Sequence, residues 1–284
     1  SPEQIKEAAL KIGEILRSCN VKRGIGTIRQ DVNISITKGN RVEIKGFQDP
    51  KIMIKTVEQE VKRQKSLIGI RKNLKTNLEN KKDLTEIFKK TKCNLIKKAI
   101  DKGEKVTGIK LNKMKGILIK ELQKEKRLGT DLSDIVKSTT GLKGIIHSDE
   151  DLKKYEFSNK EIKDLEDSLG IKKEDAFILI VSNEEKANKA IKAIQKRLED
   201  LKKEVPKEVR NSLPDGTTEF LRPMPTASRM YPETDLPLLK ISKERIDNLK
   251  KNLPKLSSEK KAYLKKYGLN EEMTKLLLKE NHVE

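Results

Sequence analysis

Residues 26–36, GTIRQDVNISI, place Thr27, Arg29, Asp31, Asn33 and Ser35 alternately with apolar or less polar neighbours, and RVEIKGF at 41–47 does the same with Arg41, Glu43 and Lys45. A period of two predicts two strands, and the TKGN between them predicts a hairpin. Cross-strand partners share a face, so the polar sides coincide if Ser35 pairs with Glu43 and Asn33 with Lys45. A three-residue loop of 38–40 then follows, with Asn40 in the left-handed conformation. The resulting face carries Arg29, Asp31, Asn33, Ser35, Arg41, Glu43 and Lys45. Guanidinium and ammonium groups hold phosphates and carboxylates, carboxylates hold a divalent cation or move a proton, and the amide and hydroxyl add neutral hydrogen bonds. That mixture suits a site for phosphate, metal and an amino-acid head group. The same alternation also describes a solvated antiparallel sheet whose charges pair across strands, and spacing alone identifies no reaction.

Other chemistry is sparse. Gly24 and Gly26 in RGIGTI lack a third glycine or a GK[ST], and a helix precedes them, so a tight turn is the sufficient reading. His147 and His282 have no Ser or Cys partner in a nucleophile arrangement, and no His or Cys pair has metal-ligand spacing. Cys19 and Cys93 stand apart without a CxxC, which fits buried free thiols in a reducing cytosol.

The chain has 284 residues, with 64 Lys and Arg against 44 Asp and Glu, a formal charge of +20. Such a field attracts polyanions, nucleic acid first among them, although a surplus of solubilising lysines gives the same number. Aromatic residues make up 3% and Trp is absent, so RNA contact is expected through phosphate and shape rather than base stacking. The longest apolar run, AFILIV at 176–181, is far short of a bilayer span. The expectation is a soluble, cytoplasmic protein without membrane or DNA partners.

The elements that must position the hairpin follow from periodicity. Ser1 as cap and Pro2 at the first position open a helix with Ile5, Ala8, Ile12, Ile15 and Leu16 on one face. A second helix near 52–74 carries Ile54, Val57, Val61 and Ile68 towards the hairpin, with lysines outward. Residues 76–104 read as a polar helical connector. A second unit follows, with strands VTGIKL, GIIH and AFILIV and helices at DLSDIVKST, 159–169 and 183–204. The last two are capped by Ser158 with Glu161 and Ser182 with Glu185. This α+β pattern buries one face of a small sheet. A proline-rich stretch at 221–241 predicts an extended, docked segment, and three short helices follow from Ser242, with signals at Ser258, Gly268 and Asn270. A chain opening at Ser1 without Met reads as a piece of a longer protein.

The stretch GIGTIRQDVNISITKGNRVEIKGFQD resembles the signature of the transamidating subunits of glutamyl-tRNA(Gln) amidotransferases, in the archaeal E form; the bacterial-type B form has Cys where Gln30 stands. RMYPETDLP resembles YRYFPEPDLP of the same family, and NLPKLSSEKKAYLKKYGLNE resembles the start of its helical domain. RLGTDLSDIVK and LKGIIHSDE resemble the insertion domain that the archaeal E form shares with bacterial-type aspartyl-tRNA synthetases.

The resemblance implies an α+β fold: a partial catalytic (cradle) domain with an antiparallel hairpin plus helices, an inserted α+β domain, and a C-terminal helical segment. The implied boundaries are 1–104 for cradle and connector, 105–215 for the insertion, 216–241 for the return to the cradle, and 242–284 for the start of the helical domain. It implies conversion of Glu-tRNA(Gln) to Gln-tRNA(Gln): ATP phosphorylates the glutamyl γ-carboxylate, and phosphate is then displaced by ammonia from a partner, the asparaginase-like D subunit. ATP and Mg²⁺ are the implied cofactors. Arg29 and Lys45 would then meet phosphate or carboxylate, and Asp31 and Glu43 would orient Mg²⁺ or ammonia. Asn33, Ser35 and Arg41 would complete the hairpin face, while Arg229, Tyr231, Glu233 and Asp235 would close the pocket from the returning segment. The family's Gly-x-Glu-x-His segment and most of its metal-binding carboxylates have no counterpart here, so the isolated piece is expected to be inactive. Two other readings remain: a non-catalytic basic RNA-binding module, and a fragment of an aspartyl-tRNA synthetase.

Overall fold

Ser1 caps helix α1 (Pro2–Ser18), its hydroxyl accepting from Gln4 N at 3.4 Å while the Gln4 side chain returns to the Ser1 amine. The computed structural model describes residues 1–22, 24, 26–27, 29–47, 49–74, 81–225 and 236–279. The chain divides into two compact units, residues 1–30, 48–54 and 225–284 forming one and 31–47 with 55–224 the other. The class is α+β, as the alternation of patterns requires. Helix α1 departs from its expected face: it buries Ala9 and Gly13, whereas Ile12 and Ile15 are about half exposed, at 53% and 47%.

The expected hairpin forms as β1 (Val32–Ile34) and β2 (Val42–Lys45), shorter than the alternating runs. Residues before Asp31 leave the ladder because Gly24 and Gly26 adopt positive φ, and Thr27 Oγ1 turns back to Gly24 O at 2.8 Å. Gln30 Nε2 is held instead by Ala9 O of α1 at 2.8 Å. Helix α2 (Ile52–Asn73) follows. Val57 on its inner face is buried as expected, but so are Thr56, Glu60, Arg63 and Gln64.

The expected helical connector is instead part of a folded layer. Strand β3 (Lys82–Asp83), a 3-10 turn at Thr85–Phe88 and helix α3 (Asn94–Ile100) bury Leu84, Phe88, Cys93 and Ile96. The apolar spacing there serves a core rather than a solvated helix. Strand β4 (Lys105–Leu111), the small pair β5 (Glu121–Gln123) and β6 (Lys126–Arg127), helix α4 (Leu128–Thr140), strand β7 (Ile146–His147), helix α5 (Asn159–Leu169), strand β8 (Ala176–Ser182) and helix α6 (Glu184–Lys203) follow in order. The Ser158–Glu161 capping box is present, whereas α6 is capped by Asn183, whose side chain accepts from Lys186 N at 2.9 Å, and not by Ser182.

The sheet here runs β3-β4-β8-β7, all antiparallel. The expectation of one buried face does not hold, because helices cover both. Ile109, Leu111, Ile178 and Ile180 join α4, α6 and Leu67, Ile70 and Leu74 of α2 in one core. Val106, Phe177 and Leu179 join Phe88, Phe157 and Leu165 in the other. Continuous burial along β4 and β8 is the pattern of a strand covered on both sides.

After α6, strands β9 (Glu208–Ser212) and β10 (Thr218–Pro223) complete a second sheet in the order β1-β2-β9-β10. Strand β9 runs parallel to β2, with Glu43 opposite Val209 and Lys45 opposite Asn211. Residues 208–212, which the resemblance assigns to the inserted region, thus lie in the hairpin's own sheet.

In the other unit, α7 (Lys243–Lys251) starts at the cap Ser242, α8 spans Ser257–Lys266 and α9 spans Glu271–Lys279 behind Asn270. Helix α8 begins one residue before the expected Ser258, whose N–H instead donates to Glu14 Oε1 of α1 at 2.7 Å. Hydrogen bonding from Ser258, and then from Lys11, holds the Glu14 carboxyl down at about 2. Among the described residues no helix is long and apolar enough to cross a membrane.

Candidate functional site

Three residues lock the loop between β1 and β2. The register pairs Val32 with Ile44, Asn33 with Glu43 and Ile34 with Val42, two positions from the expected pairing. A shift of two keeps every side chain on its face, so the shared polar surface survives. The turn residue at positive φ is Lys38 at 64°, not Asn40. Gln64 of α2 explains the choice: its carbonyl accepts from Asn40 N at 3.2 Å and its amide donates to Ile34 O at 3.3 Å. Asn40 N must point inward to reach that buried acceptor, which places the loop's reversal nearer β1.

On the outward face, Lys45 Nζ lies 2.5 Å from Asp31 Oδ2 and 2.6 Å from Glu43 Oε1. Hydrogen bonds to Asp31, then to Glu43, raise the Lys45 ammonium above its usual range. Asn33 stands opposite Glu43 in the ladder, and Ser35 and Arg41 are exposed beyond the strand ends. The surface extends past the two strands that the sequence pattern joins: Asn211 pairs with Lys45 and Glu219 pairs with Asn211, adding an amide and a carboxylate from β9 and β10. Alternation in EVRNS and TEFLRP was the available signal, but nothing local says which strand they join.

Of the expected residues, the structure brings together Asp31, Glu43 and Lys45 in direct contact. Arg29 is exposed and belongs to the other unit. Arg229, Tyr231, Glu233 and Asp235 lie outside the described residues, as does His282. His147 is buried beside Gly129 at the start of α4, and burial depresses its pKa. Cys93 is buried, but Cys19 is exposed, against the expectation of two buried thiols.

Among the described residues no three His, Cys, Asp or Glu side chains gather as a metal site. Asp31 and Glu43 do fit the carboxylate share of a magnesium site, which takes one or two carboxylates and completes its octahedron with water and phosphate oxygen. Lys45 now supplies the compensating charge.

Beneath this face lies a charge network for which local pattern gives no sign. Glu60 and Arg63 of α2, Asp131 of α4, Arg197 of α6, and Glu208 and Arg210 of β9 are all buried. Arg63 Nε donates to Glu60 Oε2 at 2.7 Å and its Nη1 lies 3.0 Å from Glu208 Oε1. Arg210 Nη1 donates to Glu208 Oε1 at 2.6 Å and to Asp131 Oδ1 at 3.1 Å, while Arg197 bridges Asp131 and Glu208. Burial opposes every one of these charges, yet Arg197, Arg210 and Arg63 outweigh it at Asp131 and hold that carboxyl far below its ordinary range. Gln64 Nε2 donates to Glu60 Oε1 at 3.0 Å, so the network reaches the hairpin loop. Three cations against three anions tie the site's sheet to three helices.

Residues 1–247 match the family model described as the GatB/GatE catalytic domain. The chain is 43% identical over 288 aligned positions to the glutamyl-tRNA(Gln) amidotransferase E subunit of Methanothermobacter thermautotrophicus, covering 100% of this chain and 46% of that protein. It is equally similar, at 43% over 291 positions, to the E subunit of Methanocaldococcus jannaschii, again 100% of this chain and 46% of that protein. The E subunit of Saccharolobus islandicus gives 43% over 291 positions, 99% of this chain and 46% of that protein. The chain thus spans about half the length of the curated relatives it matches. With the archaeal-type signature carried on a folded two-strand hairpin and the match running through both units, the chain belongs to the GatB/GatE catalytic-domain family.

Proposed function

We propose that this chain is part of a tRNA-dependent amidotransferase that converts Glu-tRNA(Gln) to Gln-tRNA(Gln). The observation that carries the reading is its 43% identity, along its whole length, to proteins named as the E subunit of glutamyl-tRNA(Gln) amidotransferase. In the proposed reaction a γ-carboxylate oxygen of the glutamyl group attacks the γ-phosphorus of ATP and ADP leaves. Ammonia, delivered by an asparaginase-like D subunit, then attacks the acyl carbon and phosphate departs.

The outward hairpin face supplies groups suited to this work. Lys45 offers a cation to the phosphate or the glutamyl carboxylate, Arg29 is proposed to add a second, and preorganised charge of this kind carries much of phosphoryl-transfer catalysis. Asp31 and Glu43 would hold Mg²⁺, or orient ammonium and accept its proton. Bound Mg²⁺ would neutralise charge on the transferring phosphoryl group. Asn33, Ser35 and Arg41 offer further hydrogen bonds to the glutamyl end, and Arg229, Tyr231, Glu233 and Asp235 are proposed to close the site.

The accompanying domain layout keeps 1–104 with 216–241 as cradle, 105–215 as the synthetase-like insertion and 242–284 as the start of a helical domain. On that layout β9 is where insertion and cradle share a sheet. Family membership sets aside the aspartyl-tRNA synthetase fragment. The test uses the full-length protein with its ammonia-supplying partner. Asp31→Ala, Glu43→Ala and Arg29→Ala should each lower amidation about 10²-fold, the scale for losing one preorganised electrostatic group, while asparaginase activity persists. Near-normal amidation in all three would leave the hairpin an ordinary solvated sheet.

A further inference from the structure

Away from the hairpin face, α4, α6 and β10 enclose a groove of about 540 Å³. Its floor is apolar, formed by Ile135, Ala193, Pro206, Phe220 and Pro223. Its rim is cationic: Lys189, Lys192 and Lys196 recur at i, i+3 and i+7 along one side of α6, and Lys207 and Arg222 stand across from them. Ser138 Oγ donates to Leu221 O at 3.0 Å and ties the α4 wall to the β10 wall. At the base, the Arg197–Glu208 ion pair anchors α6 to β9. The groove is therefore built on the rigid network and not on a loose surface.

The charge balance calls for an anion. Six cations line the groove against two carboxylates, and with Arg197 and Glu208 paired to each other, five rim cations face Asp200 alone. Among the rim cations, Lys189 is paired with Glu185 at 2.7 Å, whereas Lys192, Lys196, Lys207 and Arg222 form no ion pair among the described residues. Seven residues of helix span about 10.5 Å, so the α6 row offers charge along a line, as a chain of phosphates does. Four of the five cations are lysines, mobile point charges suited to phosphate and poorly suited to reading bases. The apolar floor, with Phe220 half-buried in it, would accept a ribose or an unstacked base.

We infer that this groove is a second tRNA contact, holding a run of phosphodiester backbone along α6 with one nucleotide packed on Phe220. The inference rests on the reading above that tRNA is the substrate, and it goes further by assigning a binding surface separate from the hairpin face.

The test measures binding of unmodified tRNA transcript to the whole chain by filter retention across a salt series. One variant carries Lys192→Glu, Lys196→Glu and Arg222→Glu. A control of equal charge change carries Lys160→Glu, Lys163→Glu and Lys173→Glu, exposed lysines of the same unit. The groove variant should lose about 30-fold or more in affinity near 0.1 M salt, and its log–log salt slope should fall by about 2 to 3, the release expected for three phosphate contacts. The control should change by less than about 5-fold. Equal losses in both variants would overturn the groove assignment, leaving only a diffuse field. Unchanged tRNA affinity would also overturn it, including the case where the groove variant instead loses its protein partner. If the unaltered chain itself fails to bind tRNA at low salt, the underlying reading falls and the groove assignment with it.

Discussion

Arg197 Nη2 donates to Asp131 Oδ2 at 2.7 Å across α6 and α4, with both side chains buried. Arg197 is the nearest cation to Asp131, and it also donates to Glu208, so a shift of either helix would break up a buried network of charges. Removing one member leaves an uncompensated buried charge, which costs roughly 3–5 kcal/mol. Asp131→Ala or Arg197→Ala should therefore lower unfolding free energy by about that much in urea titration. Asp131→Leu with Arg197→Met should cost less than the sum of the single changes, because the charge is lost from both sides together.

Acid should act on the same network. Asp131 and Glu208 have folded pKa values depressed by their arginines, against roughly 3.9 and 4.3 for the unfolded side chains. The unfolded chain thus binds more protons than the folded one as pH drops below about 4, so stability falls with falling pH there. The contribution is complete above the unfolded values and disappears as pH approaches the lower folded ones. Unfolding free energy measured from about pH 5 to 2.5 should drop steeply, and Asp131→Asn should flatten the slope. An equal slope in the variant would show that Asp131 does not carry the effect.

Lys45 holds two carboxylates of the candidate site at once. Replacing it by Gln leaves Asp31 and Glu43 facing each other without a cation, a better pair for a divalent ion. Lys45→Gln should bind Mn²⁺ more tightly than the unaltered chain, seen as selective broadening of the Asn33 and Glu43 amide resonances, while amidation by the full-length complex falls about 10²-fold. No gain in broadening would mean the two carboxylates separate once the lysine is gone.

The hairpin loop has no room at Gly39. A Cβ there would meet Ile36 Cγ1 at 2.8 Å and overlap Gln64 Oε1, the atom that accepts from Asn40 N. Gly39→Ala should cost about 1–3 kcal/mol through overpacking. Faster amide exchange at Asn40 than in the parent chain would locate the damage in that contact, and unchanged exchange with a lower Tm would place it elsewhere.

Several features could be read directly from local pattern. The Ser1 and Ser158 caps, the length of α2 and the alternation of β1 and β2 depend on neighbours within a few residues, and each stands where that pattern puts it. The polar hairpin face survives because strand alternation determines facing even when register slips by two. The family signature is local for the same reason: it is a contiguous string. The stretch 76–104 departs from a single connector helix because short apolar spacings suit a 3-10 turn and a brief helix over a core equally well.

By itself the sequence determined the class of fold, the existence of the hairpin and which of its side chains share a surface, since these follow from periods of two and 3.6 along one stretch of chain. Only the tertiary structure decided that β9 would be the hairpin's third strand, although its first paired position, Glu208, lies far along the chain from Lys45. It alone decided, too, that Glu60, Arg63 and Gln64 would face inward on a helix expected to be lysine-coated. A charged side chain on a helix favours water unless an opposite charge waits in the interior. Whether one waits is a property of β9, α4 and α6, not of the helix that carries the charge.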